Sequence, residues 1–248
     1  MNTVKRTYGW RPDIPDQRDL MYAKIIRIPK KLPPKADLTA HCSQVEDQGE
    51  LGSCTANAIA GNIEFLEIMS KQSFEDKSRL FIYYNERELE GHVNEDSGAM
   101  LRDGIKVCAK HGACDELIWP YKISRFATAP SIRAYEDGLN HKIVTYHRLQ
   151  TIDEMRFCLS EGYPFVFGFA VYESFETQNV ATTGVVTMPK KTERMLGGHA
   201  VMAAGYDDKA KRFLVRNSWG KDWGMDGYFT MPYQYLETLA DDFWTIRK

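Results

Sequence analysis

The chain has 248 residues, 43% of them hydrophobic, which is enough to bury the core of one large domain or of two lobes that share an interface. Its 32 Lys and Arg and 34 Asp and Glu residues give a net charge of −2 without a long block of one sign, so neither nucleic acid nor a membrane surface is an expected partner. The longest apolar run, 163–172, is too short to cross a bilayer, and five cysteines without a CxxC pair argue against a zinc site and a dense disulfide framework.

The N-terminal residues 1–35 are rich in Pro, Lys, Arg and Asp, a composition that predicts an extended arm separate from a folded domain at 36–248. The arm lacks the apolar stretch of a secretory signal, which predicts a cytoplasmic protein. A truncated chain or export by a signal-independent route would give the same pattern.

Helices dominate the prediction up to about residue 122. Ser53 is a favourable N-cap for an amphipathic helix that begins at Cys54. Its apolar face would carry Ala56, Ile59, Ile63 and Leu66, and its polar face Asn57, Glu64, Glu67 and Lys71. Two further helices are predicted at 78–91 and 99–112, and in the second of them Leu101, Ile105 and Cys108 share an apolar stripe.

Short β-prone segments follow from about residue 123, and one helix, with a capping box from Thr151 to Glu154, interrupts them. These segments lie at 142–150, 164–172, 197–207, 211–219 and 227–233. The sequence therefore predicts an α+β protein with two unlike lobes, a helical lobe at about 36–122 and a β lobe at about 123–248.

Cys54 stands where a loop becomes a helix, in the stretch DQGELGSCTANA. The N–H groups of a helix N-terminus stabilise a thiolate, and the thiolate is the reactive form of cysteine. Because most free cysteines are buried and inert, this position alone does not decide between a nucleophile and a small core residue.

Two separated stretches decide it by resemblance. The stretch from Gln48 to Cys54, with Gly-Ser before the cysteine, and the stretch 197–229, which contains His199 and then Asn-Ser-Trp-Gly from Asn217, are similar to the papain family of cysteine proteases. His199 and Asn217 follow Cys54 by 145 and 163 residues, and a hairpin turning at 207–211 would bring them together.

The resemblance implies a papain-like two-lobe fold, with a helical lobe, a β-barrel-like lobe and the active-site cleft between them. It implies that Cys54 is the nucleophile, His199 its ion-pair partner and base, and Asn217 the residue that orients the imidazole. Gln48 and the backbone N–H of Cys54 would stabilise the oxyanion, and Trp219 would shield the Asn217–His199 hydrogen bond from water.

The resemblance also suggests substrate-binding residues. Gly98 and Ser97 are candidates for pairing with substrate backbone, and the glycines before His199, Gly197 and Gly198, would lie along the cleft. A pocket lined by Ala99, Met100, Gly168 and Gly197 would carry no charge and would prefer a bulky hydrophobic or aromatic side chain. Two departures from the family remove no catalytic group: Thr55 stands where the family has an aromatic residue, and Leu51 where many members have a disulfide-bonded cysteine.

Residues 1–31 precede the segment at which relatives begin their mature chain. Family members are commonly made as inactive precursors, so this extension could be a short pro-segment that covers the cleft, with Tyr8 and Trp10 as anchors and Pro12 and Pro15 stiffening the backbone. The alternative is a disordered leader that only tethers the chain.

The resemblance thus predicts a bacterial-type cysteine endopeptidase that acts as a monomer on proteins or peptides, without metal or cofactor. The alternatives are a catalytically silent binding protein of the same fold, and an acyl transferase or exopeptidase with the same nucleophile. The remaining histidines, at positions 41, 92, 111, 141 and 147, have no metal-site spacing and are expected at the surface. Cys42, Cys108, Cys114 and Cys158 are expected to be core or spare thiols.

Overall fold

The computed structural model describes residues 6–71 and 74–248, and within them it has seven α-helices and seven β-strands. The helices are α1 (Cys54–Met69), α2 (Arg79–Glu90), α3 (Leu101–His111), α4 (Ile132–Gly138), α5 (Ile152–Ser160), α6 (Gln178–Thr183) and α7 (Tyr233–Leu239). The strands are β1 (Lys35–Asp37), β2 (Thr145–Arg148), β3 (Phe165–Tyr172), β4 (Met195–Asp207), β5 (Arg212–Arg216), β6 (Tyr228–Pro232) and β7 (Ala240–Arg247).

The strands form one antiparallel sheet in the order β2-β7-β3-β4-β5-β6, with β1 added beside β4. The long strand β4 carries His199, opposite Phe169 of β3, and its hairpin with β5 turns at the predicted place. Strand β7 was not predicted. It lies between β2 and β3 and supplies buried residues to both hydrophobic clusters of the protein.

Helix α1 is buried on all sides, so the prediction of an amphipathic helix with a solvated polar face is wrong. The helix packs between α2 and α3 on one side and β3 and β4 on the other. Its polar residues Glu64 and Glu67 are buried and find partners inside the protein: Glu64 accepts a 2.8 Å hydrogen bond from the backbone N–H of Lys77, and Glu67 pairs with the Lys77 ammonium. Burial of a charged group requires such partners, which the sequence pattern of α1 does not reveal.

The helix termini match the prediction except at the start of α1. Ser53 makes no side-chain cap, because its hydroxyl shares a 2.6 Å hydrogen bond with the Tyr121 hydroxyl. Thr151 caps α5 as the sequence indicates, and Ser78, which was not predicted as a cap, caps α2. The residues Leu101, Ile105 and Cys108 are fully buried, which confirms the predicted stripe on α3.

The half of the chain after residue 122 contains more helix than predicted, so helices and strands are not cleanly separated at that residue. Helices α4, α6 and α7 were not predicted beside α5, since each is only six or seven residues long. Strand β1 belongs to the sheet although it lies at the start of the predicted helical lobe. Conversely, Tyr135 of α4 packs edge-on against Phe81 of α2, 5.1 Å between ring centroids.

The described part of the N-terminal extension lies on the enzyme rather than apart from it. Trp10 and Tyr22 are buried, and Tyr22 packs in the cluster under the sheet, near Phe157 of α5. The longest helix has 16 residues, and no helix in the described ranges has the length and apolar character needed to span a membrane. All five cysteines are free.

Candidate active site

Cys54 begins α1 and is fully buried where the helix meets β4. The backbone N–H groups of Ala200, Gly9 and Thr55 favour the thiolate and lower the pKa of the thiol. Burial outweighs them and raises the pKa of the thiol to about 11. The thiol is therefore protonated at neutral pH in this structure.

His199 lies on β4 next to Ala200, and its Nε2 is 2.8 Å from Oδ1 of Asn217. The ring of Trp219 stacks on the imidazole at 5.1 Å between centroids, which covers this hydrogen bond. Nδ1 of His199 is buried without a hydrogen-bond partner among the described residues. Burial lowers the pKa of His199 to about 4, so the imidazole is neutral in this state.

Gln48 is buried and tied to the loop that follows Asn217. Its backbone N–H donates to the carbonyl of Ser218 at 2.9 Å, and the Ser218 hydroxyl donates to Oε1 of Gln48 at 2.6 Å. These bonds direct Nε2 of Gln48 toward the loop before the nucleophile, where it donates to the carbonyl of Leu51 at 2.9 Å. The structure thus brings together all four residues that the sequence singled out for catalysis.

The N-terminal segment, residues 6–19, lies against the rest of the protein, and its residues 6–13 occupy the cleft. Its backbone pairs with both walls: the N–H of Trp10 donates to the carbonyl of Gly198 at 2.9 Å, and the N–H of Arg11 donates to the carbonyl of Ala99 at 3.0 Å. In return, the N–H of Ala99 donates to the carbonyl of Gly9 at 2.8 Å.

The indole of Trp10 fills a pocket whose wall is glycine backbone. A Cβ atom at Gly168 would lie 1.9 Å from the Trp10 ring, and one at Gly198 would lie 2.7 Å from it, so only glycine leaves room for the indole. At the end of the pocket, Nε1 of Trp10 donates to Oδ2 of Asp242 at 3.1 Å. The sequence prediction of an uncharged pocket missed Asp242 because strand β7 itself was missed.

The other predicted substrate-binding residues divide between cleft and surroundings. Gly98 lies against the carbonyl of Gly9, and Gly197 lies against the ring of Tyr8 rather than in the Trp10 pocket. Ser97 hydrogen-bonds the carbonyl of Gly98, and Met100 donates its N–H to Glu90 at 2.8 Å. Ser97 and Met100 therefore form these hydrogen bonds with residues beside the cleft.

Of the histidines expected at the surface, His41 and His92 are exposed, whereas those at 111, 141 and 147 are partly buried. Nδ1 of His141 is 2.7 Å from Oε1 of the buried Glu67. His141 also lies near Asp115 and Asp137, and the geometry of these three side chains could hold a metal ion. Lys77 already places its ammonium on Asp115, and this cation supplies the positive charge that the acidic groups need.

Comparison with known proteins agrees with this geometry. The family model "Papain family cysteine protease" matches residues 29–238, which is most of the chain. The chain belongs to the papain family of cysteine proteases. It is therefore a cysteine-type peptidase, a hydrolase whose substrates are proteins or peptides.

Individual relatives support the family across the entire chain. This papain-family peptidase superposes on xylellain, a cysteine protease from Xylella fastidiosa, with a TM-score of 0.92 and 47% sequence identity, over 100% of this chain and 98% of the other. It is 43% identical to an uncharacterized peptidase C1-like protein of Acanthamoeba polyphaga mimivirus, over 100% of this chain and 88% of the viral protein.

A more distant structure extends the likeness of the fold. Procathepsin L 3 of Tenebrio molitor larval midgut superposes with a TM-score of 0.73 at 17% identity, over 99% of this papain-family chain and 77% of the other. At that identity the likeness concerns the fold alone. Together with xylellain it confirms the predicted α+β papain-like two-lobe fold.

Proposed function

We propose that the protein is an endopeptidase that uses Cys54 as nucleophile and is inhibited by its own N-terminal segment. In the open enzyme, the Cys54 thiolate attacks the carbonyl carbon of the scissile bond, and the His199 imidazolium protonates the leaving amine. Water then attacks the thioester with neutral His199 as base, which releases the second product and restores the thiol. The meeting of Cys54, His199, Asn217 and Gln48 at one cleft is the observation that carries this proposal.

Gln48 and the backbone N–H of Cys54 are the proposed oxyanion donors. The hydrogen bond from Ser218 fixes Oε1 of Gln48, so Nε2 is held without reorganisation during the reaction. Asn217 is the proposed orienting residue, because its Oδ1 holds Nε2 of His199 and leaves the unpartnered Nδ1 for the nucleophile.

This division of roles predicts the effect of Asn217→Ala. We expect kcat/KM for a small peptide to fall by about tenfold to a hundredfold, since loss of one hydrogen bond to a buried charged group costs about 1.5–3 kcal/mol. The measurement is steady-state hydrolysis of a fluorogenic peptide, with Asn179→Ala on exposed α6 as control. An Asn217→Ala enzyme as inactive as one without the nucleophile would contradict an orienting role.

The N-terminal segment fits an inhibitor better than a substrate. The N–H of Gly9 is one of the groups that lower the pKa of the Cys54 thiol, whereas a scissile bond must present its carbonyl carbon to the sulfur. The carbonyl oxygen of Gly9 accepts from the N–H of Ala99 instead, and that of Thr7 accepts a long hydrogen bond, 3.4 Å, from Nε2 of Gln48. We infer that the segment lies over the nucleophile without a bond held in position to be cut.

The covered state also suppresses the reactive ion pair. Burial raises the pKa of Cys54 and lowers that of His199, and both changes favour the neutral thiol and imidazole. Departure of the segment admits water to both groups and shifts both pKa values toward the ion pair. Inhibition is thus both steric and electrostatic.

Removal of the segment tests the proposal. The deletion should end at residue 19, because Tyr22 is buried in the core and its loss would disturb the β lobe. We expect the variant lacking residues 1–19 to hydrolyse a fluorogenic peptide faster than the full chain, and an epoxide inhibitor of cysteine proteases to modify Cys54 faster in it. Mass spectrometry of the labelled peptide identifies the modified residue.

Four outcomes would count against parts of the proposal. Equal activity of the two chains, with equal stability, would mean that the segment does not inhibit. Labelling of another cysteine would overturn the assignment of Cys54, and labelling without hydrolysis of any peptide would favour the silent binding protein. Cleavage of a protein substrate only at its ends would favour an exopeptidase over an endopeptidase.

A further inference from the structure

A cluster of charges closes the pocket that Trp10 occupies. In the enzyme proper, Arg148 at the end of β2 donates to the carboxylates of Asp241 and Asp242, each at 2.8 Å. Arg102 of α3 faces the same place. Without the N-terminal segment, these two guanidinium groups and two carboxylates are balanced in charge.

The segment adds two further carboxylates to this cluster. Asp19 pairs with Arg102 at 2.7 Å. Asp13 accepts a 3.1 Å hydrogen bond from the backbone N–H of Arg102 at its Oδ1. The two guanidinium groups are only distant partners of its Oδ2, at 4.0 Å for Arg102 and 3.9 Å for Arg148, and both lie closer to other carboxylates. Docking therefore leaves an excess of negative charge in the cluster.

Asp13 and Asp242 are the members of the cluster most completely removed from water. Their side chains are 0% and 1% exposed. The backbone N–H of Asp13 donates to Oδ2 of Asp242 at 2.7 Å, and Nε1 of Trp244 donates to Oδ2 of Asp13 at 2.9 Å. Two buried carboxylates in one cluster, linked through the backbone N–H of Asp13, resist simultaneous ionisation.

We infer that docking of the N-terminal segment takes up one proton, shared by Asp13 and Asp242, so that rising pH releases the segment from the cleft. This inference rests on the proposed inhibition for its biological meaning, although docking can be measured without activity. Release of the segment returns this proton to solvent, so the cleft opens as the pH rises.

The pKa values agree in sign with this inference. Burial, and then the charge of Asp13, raise the pKa of Asp242 to about 7, and burial raises that of Asp13 as well. In the open state Asp13 is solvated, with an ordinary pKa of about 3.9, and Asp242 keeps Arg148 as its partner. The docked form is thus the form with the raised pKa, and its stability falls as pH rises through about 7.

Hydrogen exchange of the full-length chain tests the inference. The backbone amides of Trp10 and Arg11 are bonded to the cleft walls, so their protection factors report the ratio of docked to released segment. All samples carry Cys54→Ala, which removes self-cleavage and the ionisation of the thiol. The range pH 7 to 9 lies above the ordinary pKa of histidine, about 6.5, so His199 does not contribute.

Release of one proton predicts that the protection factors fall about tenfold per pH unit over this range. Asp13→Asn removes one of the two carboxylates and should make protection nearly independent of pH. Asp16→Asn is the matched control on the same segment, since Asp16 is bonded to Arg18 and lies outside the buried pair, and it should keep the slope of the parent. If the segment docks poorly in Asp13→Asn, Asp242→Asn serves instead, and its protection factors should likewise be nearly independent of pH.

A flat profile in the parent, or an unchanged slope in both Asp13→Asn and Asp242→Asn, would overturn the inference. The proposed inhibition fails by a different result, namely a deletion of residues 1–19 that leaves activity unchanged while exchange still reports a docked segment. The two proposals are therefore tested separately.

Discussion

Cys54→Ala is expected to abolish peptide hydrolysis, with a loss of at least about 10⁴-fold in kcat/KM, because it removes the attacking sulfur. The change should have little effect on the fold. It removes one buried atom, and the cavity left behind costs about 1 kcal/mol or less in the free energy of unfolding. Hydrolysis of a fluorogenic peptide and the thermal midpoint of unfolding measure the two effects.

Cys108→Ala is the matched control for this variant. Cys108 is also fully buried, but on α3, a different helix from the one that carries Cys54. We expect Cys108→Ala to lose comparable stability and to keep its activity. A Cys54→Ala enzyme that retains more than a trace of activity would show that another group is the nucleophile.

Gly9→Ala is expected to open the cleft of the full-length protein. A Cβ atom at Gly9 would lie 1.8 Å from the carbonyl oxygen of Gly52, two residues before the nucleophile. The atoms of Gly52 that a side chain at Gly9 would meet are all backbone atoms, so no flexible side chain can move aside to relieve the contact. Overpacking of this kind costs about 1–3 kcal/mol, which raises the released fraction by about fivefold to 150-fold.

The readout for Gly9→Ala is peptide hydrolysis, which should rise toward that of the variant lacking residues 1–19. Ile14→Ala serves as control, because Ile14 belongs to the same segment and its side chain is 69% exposed. Its activity should equal that of the parent. If Gly9→Ala were no more active than the parent while the deletion was, the segment would have to dock in a register other than the one described.

Asp242 shows why sequence reasoning reached the candidate catalytic residues but not the full pocket. Cys54, His199 and Asn217 are recognisable because each lies in a short stretch that resembles a papain-family motif. Asp242 has no such stretch. It faces the pocket because β7 lies beside β3 and the backbone there is irregular, with Asp242 at φ 57° and a register shift opposite Val166 and Gly168.

The sequence by itself determined the α+β class, most of the strands and the identity of the four candidate catalytic residues, since these depend on local periodicity and short motifs. Only the tertiary structure decided that α1 is buried on all sides. Its charged residues are satisfied by partners outside the helix, such as the buried Lys77, and the sequence of α1 does not reveal these partners. The tertiary structure also decided that the N-terminal segment lies in the cleft. That position depends on backbone pairing with Ala99 and Gly198 and on the charges around Asp242, contacts between residues far apart in the chain that no local pattern records.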